Sequence, residues 1–454
     1  MKIIIVGAGE VGFNIAQRLA SEDKEVVVID RSPEQLKQLS EVLDVQVVQG
    51  SGSSPGILED AGIAGAEILL AVTDSDDTNL IACLFANFLA PGVIKVARIR
   101  DEKYSNYQHL LEKDILKISL VINPEVEVVK TIQRLMSVPG AVDIGEFAQG
   151  RVKLIGIKVA GESPLAGTRL LELRQKIGET GLVIGAIIRE NRLIVPTGRN
   201  RLEAGDLVYF VCEKEHLDHV LNIFGQYPKP IRDVMIIGGG HIGRRLAATL
   251  EKEAVRAKLI EKDSVCCHSL SERLNHTLII HGDGTDQELL EQENIGEMDL
   301  VITVTEDEET NVLASLLAKR LGAERTITRI NKFAYVPLVE AIGLDHIVSP
   351  RLSAIDTILQ YIRRGKVITT LSLKGEEVEV LEAVALETSD LVSKPLKNLR
   401  FPTGIIVLAI LRGDKVIVPT GESIVLPQDR VIIISSRKNM PWVEKALMVN
   451  LEYF

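Results

Sequence analysis

The sequence has little of what several protein classes need. Its 454 residues include four cysteines and 4% aromatic residues, and the formal net charge is −11. Nucleic-acid binding favours a basic face and aromatic stacking platforms, so we expect no nucleic-acid partner. No apolar run reaches the ~18 residues that a membrane-spanning helix requires, and the N-terminus lacks a signal-peptide layout. We therefore expect a cytoplasmic protein.

The cysteines exclude two further classes. Cys83, Cys212, Cys266 and Cys267 have neither metal-ligand spacing nor histidine partners at such spacing. We expect no metal site and no disulfide framework, as in a reducing compartment.

What the sequence does contain is an internal repeat. The duplicated segments are a glycine-rich loop (residues 3–12 and 234–243), an acidic strand end (Asp30 and Glu261), a T-D/E-x-D/E-x-T-N run (73–79 and 305–311) and IVPTG (194–198 and 417–421). Repeats of this length decide the architecture of a chain. Here the order is A–B–A′–B′, a large and a small unit that each occur twice.

This order predicts four domains, at residues 1–137, 138–224, 232–365 and 366–454. In the large units, short β-branched runs alternate with helical patterns, which is typical of parallel sheets with crossover helices. The strands predicted in the first unit are Ile3–Val6, Glu25–Ile29, Val45–Val48, Ile68–Val72, Ile94–Ile99 and Ile118–Ile122. The fold class is therefore α/β, with two Rossmann-like, doubly wound parallel-sheet domains, each followed by a small α+β domain.

The run Gly7-Ala8-Gly9-Glu10-Val11-Gly12 predicts a phosphate-binding turn between a strand and a helix. Gly7 permits the tight turn, Gly9 lets the backbone approach a pyrophosphate, and Gly12 allows close packing of helix on strand. Asp30 ends the next strand, where a carboxylate accepts hydrogen bonds from ribose hydroxyls and repels a 2′-phosphate. The pattern favours NAD or an adenine nucleotide over NADP. The alternative is a glycine turn with Asp30 as a helix cap.

The second large unit repeats this arrangement with Gly238-Gly239-Gly240-His241-Ile242-Gly243 and Glu261. A duplicated fold can keep its shape and lose its ligand, so occupancy of this site stays open. Asp283 lies in a G-D-G run where the first unit has Gly50-Ser51-Gly52. A carboxylate after the third strand, near an adenine or ribose, is thus available only in the second unit, and the two sites need not prefer the same nucleotide.

Three further positions recur where strands end at the sheet edge that carries the loops. They are a threonine (Thr73 and Thr305), the acid that follows it (Asp74 and Glu306) and an arginine (Arg98 and Arg329). Ligands of open α/β sheets bind at this edge, so the threonines and acids should border the nucleotide. The alternative is that they cap the next helix. The arginines are candidates for a phosphate, for a ligand of a neighbouring subunit, or for a surface ion pair.

Catalytic groups are scarce. The eight histidines do not repeat between the halves, and the sequence has no G-x-S-x-G elbow, P-loop lysine or Cys–His pair. We therefore expect a protein that is not an enzyme. Helices predicted at 124–135 and 350–361 have an apolar face that can pack into the chain's own core, into a small unit or onto a partner subunit.

Together and in this order, these segments resemble the TrkA family of Trk-type potassium uptake regulators, over essentially the whole chain. That family is built from two tandem RCK (KTN) modules, each with a nucleotide-binding N-terminal domain and a small C-terminal domain. The resemblance implies a regulatory subunit on the cytoplasmic face of the cell membrane. It also implies a homo-oligomer, typically a tetrameric ring, that gates an integral membrane potassium-transport subunit through NAD(H) and ATP or ADP.

The nucleotide contacts of the family carry over residue by residue. They fall on Gly7 to Gly12, Asp30, Thr73, Asp74 and Arg98 in the first site, and on Gly238 to Gly243, Glu261, Asp283, Thr305, Glu306 and Arg329 in the second. Ser51 occupies the position in the first site that corresponds to Asp283 in the second. Two rival functions remain, an NAD-dependent oxidoreductase and a ligand-sensing accessory of a cation/proton antiporter.

Overall fold

Two compact units make up the chain, and each contains part of both halves. The computed structural model describes residues 1–21, 24–105, 116–138, 140–177, 181–190, 192–226, 229–332, 335–344, 346–362, 367–373, 378–399 and 401–447. The first unit combines Met1–Ile132 with Ile231–Ile362, and the second combines Gln133–Pro230 with Arg363–Phe454. Within the described ranges, no helix is both long enough and apolar enough to cross a bilayer.

The first unit begins with a parallel sheet. Its strands are β1 (Lys2–Val6), β2 (Glu25–Asp30), β3 (Gln46–Gln49), β4 (Ile68–Ala71), β5 (Ile94–Arg98) and β6 (Ile118–Ile122). The helices of this part are α1 (Glu10–Ala20), α2 (Pro33–Val42), α3 (Pro55–Asp60), α4 (Asp76–Leu89), α5 (Glu102–Ser105) and α6 (Pro124–Ser137). The strand order is β3-β2-β1-β4-β5-β6, with parallel pairing throughout. The strand order reverses between β1 and β4, because β2 and β3 are added on one side of β1 and β4 to β6 on the other, and this opens a crevice at the carboxyl ends of β1 and β4.

The second unit begins with an antiparallel sheet in the order β10-β9-β11-β8-β7. Its elements are β7 (Ala141–Phe147), β8 (Val152–Lys158), α7 (Leu170–Ile177), β9 (Val183–Arg189), β10 (Arg192–Ile194), β11 (Leu207–Glu213) and α8 (Leu217–Ile223). Asp206 is 1% exposed and binds the guanidinium of Arg189 through both oxygens, at 2.7 and 2.8 Å. This ion pair fixes the loop that leads into β11.

The second parallel sheet belongs to the first unit and has the same topology, β14-β13-β12-β15-β16-β17. Its strands are β12 (Asp233–Ile237), β13 (Arg256–Glu261), β14 (Leu278–His281), β15 (Leu300–Thr303), β16 (Thr326–Arg329) and β17 (His346–Val348). Its helices are α9 (His241–Lys252), α10 (Ser264–Ser271), α11 (Gln287–Gln292), α12 (Glu308–Arg320), α13 (Val336–Ala341) and α14 (Pro350–Ile362).

The second antiparallel sheet belongs to the second unit, in the order β18-β19-β22-β20-β21. Its elements are β18 (Val367–Leu373), β19 (Val378–Val384), β20 (Ile405–Arg412), β21 (Lys415–Ile417), β22 (Arg430–Ser436) and α15 (Met440–Leu447). Arg412 and Asp429 repeat the ion pair of the first small sheet, at 3.0 and 2.8 Å. The predicted fold class is confirmed: two doubly wound parallel sheets and two small α+β modules alternate along the chain.

Helix α14 joins the two halves inside the first unit. Ile355, Ile358 and Leu359 on this helix belong to the same buried cluster as Ile3 and Ile15 of the first half. The apolar face predicted at 350–361 therefore packs within the chain, but into the core of the other half. Helix α6 touches α14 through polar contacts as well.

Candidate functional site

Each glycine loop turns directly from a strand into a helix. Gly7 and Gly238 have φ angles of 111° and 107°, a region that only glycine adopts without strain. Their N–H groups donate to the carbonyl oxygens of Ile29 and Ile260 at 2.8 and 2.9 Å. These bonds hold both loops at the carboxyl end of the neighbouring strand, where a ligand of a doubly wound sheet would bind.

Four of the five remaining loop glycines have one of two roles. A Cβ on Gly12 or Gly243 would collide with the carbonyl oxygen of the first loop glycine, so these positions serve packing of helix on strand. A Cβ on Gly9 or Gly240 would meet no atom within 4 Å. Both are helix N-caps without a side-chain cap bond, so the first backbone N–H groups of α1 and α9 are open to an anion.

The other loop positions face in different directions. Val11 and Ile242 are each 3% exposed and belong to the interior. Glu10 and His241 are the exposed first residues of α1 and α9. The two loops therefore share one backbone shape but differ in charge at the position that begins the helix.

The acid at the end of the second strand binds the glycine loop in both halves. Asp30 accepts hydrogen bonds from the N–H groups of Ala8 at 2.6 Å and Ser32 at 2.8 Å. Glu261 accepts from Gly239 at 2.7 Å and from a backbone N–H two residues further along at 2.8 Å. The cap of α2 is Ser32, so the interpretation of Asp30 as a helix cap is wrong. Each carboxylate keeps lone pairs that can accept from ribose hydroxyls.

The third strand ends differently in the two halves. Asp283 pairs with Lys262 at 2.7 Å and accepts from the hydroxyl of Thr285 at 2.7 Å. The hydrogen bond from Lys262 is the main cause that lowers the pKa of Asp283 to about 2. In the first half, Ser51 accepts from Arg31 at 2.7 Å, so a neutral partner replaces the carboxylate.

Two asparagines that our sequence analysis did not single out hold the strand ends. Asn79 is fully buried; its Oδ1 accepts from the N–H and hydroxyl of Thr73 at 3.0 and 2.7 Å. Its Nδ2 donates to the carbonyl oxygens of Thr73 and Arg98 at 3.0 and 2.8 Å. Asn311 makes the same four bonds around Thr305. The signal was present in the sequence, since each asparagine ends a duplicated T-x-x-x-x-x-N run.

Other residues cap the helices that follow these strand ends. Ser75 caps α4 and Asp307 caps α12, each by accepting from a backbone N–H three residues on. The predicted threonines and acids are therefore not the caps, and that alternative is wrong for them.

The second glycine loop opens into a cavity of about 610 Å³. All predicted site residues of the second half line it except Gly239 and Gly243. The first half contributes Asp74, Arg98, Arg100, Pro124 and Glu125 to the wall. A ligand in this cavity would contact both halves of the polypeptide.

This placement changes the assignment of two predicted residues. The sequence assigns Asp74 and Arg98 to the first site, whereas in the structure both line the cavity of the second half. Arg98 is 8% exposed and donates to Asp74 at 2.9 Å, and burial lowers the pKa of its guanidinium. Arg329 donates to the carbonyl oxygen of Thr305 at 3.0 Å, and burial also lowers its pKa. Arg98 thus makes the ion pair that the alternative interpretation expected, with an Asp74 side chain that is 85% exposed, and this pair lies at the wall of the cavity.

Arg100 and Glu125 are cavity residues that our sequence analysis missed. The Oε2 atom of Glu125 is buried and has no hydrogen-bond partner among the described residues. A signal existed, because helix α6 begins Pro124-Glu125 where helix α14 begins Pro350-Arg351. Opposite charges at corresponding positions of a repeat, here Glu125 and Arg351, indicate that the two side chains have different binding partners.

The chemistry available at the cavity is that of a binding site. Its wall offers backbone N–H groups, guanidiniums for phosphate and carboxylates for hydroxyls. Cys266 also lines it, but burial raises the pKa of this thiol and makes it a poor nucleophile. In the described part of the chain, His, Cys, Asp and Glu form no group of three or more that could hold a metal ion.

Comparison with solved structures supports the fold. A structure described as the GsuK RCK domain superimposes with a TM-score of 0.60, covering 98% of this chain and 94% of that one, at 22% identity. The GsuK channel bound to NAD also superimposes with a TM-score of 0.60 at 22% identity, covering 98% of this chain and 78% of that one. At this identity the likeness establishes the architecture.

Sequence comparison establishes the family. The TrkA-N domain profile matches residues 3–124 and 234–350, and the TrkA-C domain profile matches 154–225 and 380–447. The Trk system potassium uptake protein TrkA of Azorhizobium caulinodans is 36% identical, with 100% of both chains covered. The protein of the same name from Haemophilus influenzae is 37% identical, with 98% of both covered. The chain therefore belongs to the TrkA family of Trk system potassium uptake proteins.

Proposed function

We propose that this chain is the nucleotide-sensing regulatory subunit of a Trk-type potassium transport system. It binds NAD(H), and ATP or ADP, in its two glycine-loop clefts. It works at the cytoplasmic face of the cell membrane as a homo-oligomer, in the form of a tetrameric ring. Through nucleotide-dependent changes of shape it gates an integral membrane subunit that conducts potassium.

The observation that carries this proposal is the cavity with walls from both halves. Helix N-terminal N–H groups beside Gly240 suit the phosphates, and the carboxylate of Glu261 suits a ribose. The solved GsuK structures are described as bound to NAD and, in another case, to ADP. The full-length relatives are named for potassium uptake, which supplies the transport function.

The same cavity favours a regulator over an oxidoreductase. Hydride transfer to a carbonyl needs an acid–base group beside the nicotinamide. His241 in the cavity wall is the first residue of α9, at the loop that we assign to phosphate and not to the nicotinamide. The arginines at the wall make fixed hydrogen bonds, as Arg98 does to Asp74. Because the wall is shared, a bound nucleotide stabilises the arrangement of the halves that it fits better. It can shift the equilibrium between two arrangements only by the difference between its affinities for them.

Potassium uptake tests this proposal. A strain deleted for the protein receives the wild-type gene, a Gly9→Val/Gly240→Val gene that closes both loops, or a Gly92→Val control. Gly92 precedes β5, and a Cβ there meets no atom within 4 Å. We expect the wild-type gene and the control to restore potassium uptake. The double variant should be present in the cell at the wild-type protein level, but its potassium uptake should no longer depend on nucleotide. Unchanged uptake in the deleted strain would contradict the proposal.

Two further measurements separate the rivals. Co-purification with the candidate potassium-transporting membrane subunit, with and without NADH or ATP, should show a complex whose stability depends on nucleotide. NADH oxidation across a panel of small carbonyls should be absent while NADH still binds. Turnover would favour the oxidoreductase, and binding to an antiporter instead would favour the accessory of a cation/proton exchanger.

A further inference from the structure

Three buried polar atoms in the wall of the second cleft, the cavity at loop 238–243, make no hydrogen bond to a described residue. They are Oε2 of Glu125 and the Nε atoms of Arg98 and Arg329. A buried donor or acceptor that stays unpaired costs free energy, and in a native protein each such group calls for an explanation. Two donors and one acceptor in the same wall indicate a ligand group that both accepts and donates hydrogen bonds.

The two arginines already use part of their donors inside the protein. Arg98 donates to Asp74 at 2.9 Å and Arg329 to the carbonyl oxygen of Thr305 at 3.0 Å, which holds both guanidiniums in place. Burial lowers the pKa of Arg329, and nearby carboxylates, Glu125 among them, oppose this shift. Glu125 is therefore a neighbour of Arg329, although its Oε2 atom makes no hydrogen bond to this or any other described residue.

The strand order places Glu125 and Arg329 on the opposite side of the glycine loop from the ribose acid. In the order β13-β12-β15-β16, Glu261 ends β13 and Arg329 ends β16, whereas the loop follows β12 between them. A dinucleotide in a doubly wound sheet lies across this crevice, with its pyrophosphate at the loop. When Glu261 holds the adenosine ribose, the nicotinamide half extends towards Arg329 and Glu125.

A primary carboxamide suits these side chains better than a phosphate does. Its NH2 group donates to a carboxylate such as Glu125, and its oxygen has two lone pairs for guanidinium N–H groups. An ionised phosphate only accepts, so it would leave Glu125 unpaired and place two negative charges side by side. Glu125 is partly exposed, and the terminal torsion of a glutamate is broad, so its carboxylate can turn towards a ligand.

We propose that Glu125, a residue of the first half, makes the second cleft selective for a ligand with a carboxamide, as in the nicotinamide of NAD(H). The carboxamide NH2 group donates to the carboxylate of Glu125, and the carboxamide oxygen accepts from Arg329. This inference rests on the proposed nucleotide binding, and it adds the residue that recognises the nicotinamide end. Because Glu125 belongs to the first half, the selectivity of the second cleft depends on both halves of the chain.

The test uses the full chain with Gly9→Val, in which the second cleft stays open. Calorimetry measures the affinities of NAD, of ADP-ribose, which lacks only the nicotinamide, and of nicotinic acid adenine dinucleotide, in which a carboxylate replaces the carboxamide. We expect NAD to bind about tenfold or more tightly than the carboxylate analogue, because the analogue meets Glu125 with a like charge. Glu125→Gln should remove this difference, since a glutamine amide donates to a carboxylate. The affinity for ADP-ribose should not change, which also shows that the fold is kept.

Glu34→Gln is the matched control. Helix α2 begins Pro33-Glu34 as α6 begins Pro124-Glu125, so both substitutions remove an acid from the first turn of a helix. Glu34 is exposed and does not line the cavity, so its substitution should change none of the three affinities.

The outcomes separate this inference from the function on which it rests. If none of these nucleotides binds the wild-type chain, both fail. The inference alone fails if NAD binds the wild-type chain but not the Gly9→Val chain, or if NAD and the carboxylate analogue bind the Gly9→Val chain equally. It also fails if Glu125→Gln weakens all three ligands alike, as a purely structural role of Glu125 would predict.

Discussion

Closing the second glycine loop with Gly240→Val should abolish nucleotide binding there without damage to the fold. Gly240 has φ −61° and ψ −167°, a conformation that valine adopts readily, and a Cβ meets no atom within 4 Å. The fold should therefore lose less than ~1 kcal/mol, the difference between glycine and valine at a helix N-cap. The valine methyls would occupy the space through which a phosphate reaches the N–H groups of α9.

The size of the effect follows from the bonds removed. Two N–H donors to a charged phosphate contribute about 1.5 kcal/mol each, so about 3 kcal/mol is lost, roughly a 150-fold weaker affinity. Calorimetry with NADH compares Gly9→Val, in which the second cleft stays open, with the Gly9→Val/Gly240→Val chain. Gly92→Val is the matched control for a glycine-to-valine change in open space. Affinity that falls by less than about fivefold would refute phosphate binding at this loop.

The remaining predictions concern stability and pH. Asn79→Ala removes four hydrogen bonds from a fully buried side chain and should lower the free energy of unfolding by about 3 kcal/mol in urea titrations. The control Asn14→Ala changes a partly exposed side chain that donates to the carbonyl oxygen of Glu10, and it should change the free energy of unfolding little. Asp206→Asn breaks a bidentate ion pair with Arg189 at a buried carboxylate and should lower the free energy of unfolding by about 3 kcal/mol. A clear fall of the melting temperature would confirm this, and an unchanged melting temperature would contradict it. The pKa of Asp283 is lowered from 3.8 to about 2 by Lys262, so its contribution is present above pH 4 and lost as pH falls through about 2. Asp283→Asn should therefore remove less than ~1 kcal/mol at pH 6, since the pair is partly exposed, and nothing near pH 2; a difference that grows towards low pH would contradict this.

The sequence predicts the strands well because the parallel sheets are buried on both faces. Strands such as β1, with Ile3, Ile4 and Ile5 each fully buried, read as continuous apolar runs bounded by turn residues. The six strands predicted in the first half agree with the observed ones to within one residue at either end. The glycine loops were also predictable, since Gly7 and Gly12 are required by backbone geometry that no other residue fits.

Which half supplies each wall of a cleft was not predictable from the sequence. The apolar face of α14 shows that Ile355 and Ile358 are buried, but not that they pack against the first sheet. The same limit applies to Arg98, Glu125 and Arg351, because their contacts depend on how the two halves of the first unit pack together. Periodicity and spacing describe one element at a time, whereas a composite site depends on long-range packing.

The proposed regulation depends most directly on occupancy of both clefts of one chain. Crystals of the full-length protein soaked with NADH and ATP test this in a single measurement. We expect nucleotide density at both loops, with phosphates on the N–H groups beside Gly9 and Gly240 and ribose hydroxyls on Asp30 and Glu261. Clefts that stay empty, or that are filled by the protein's own side chains at saturating nucleotide, would contradict it.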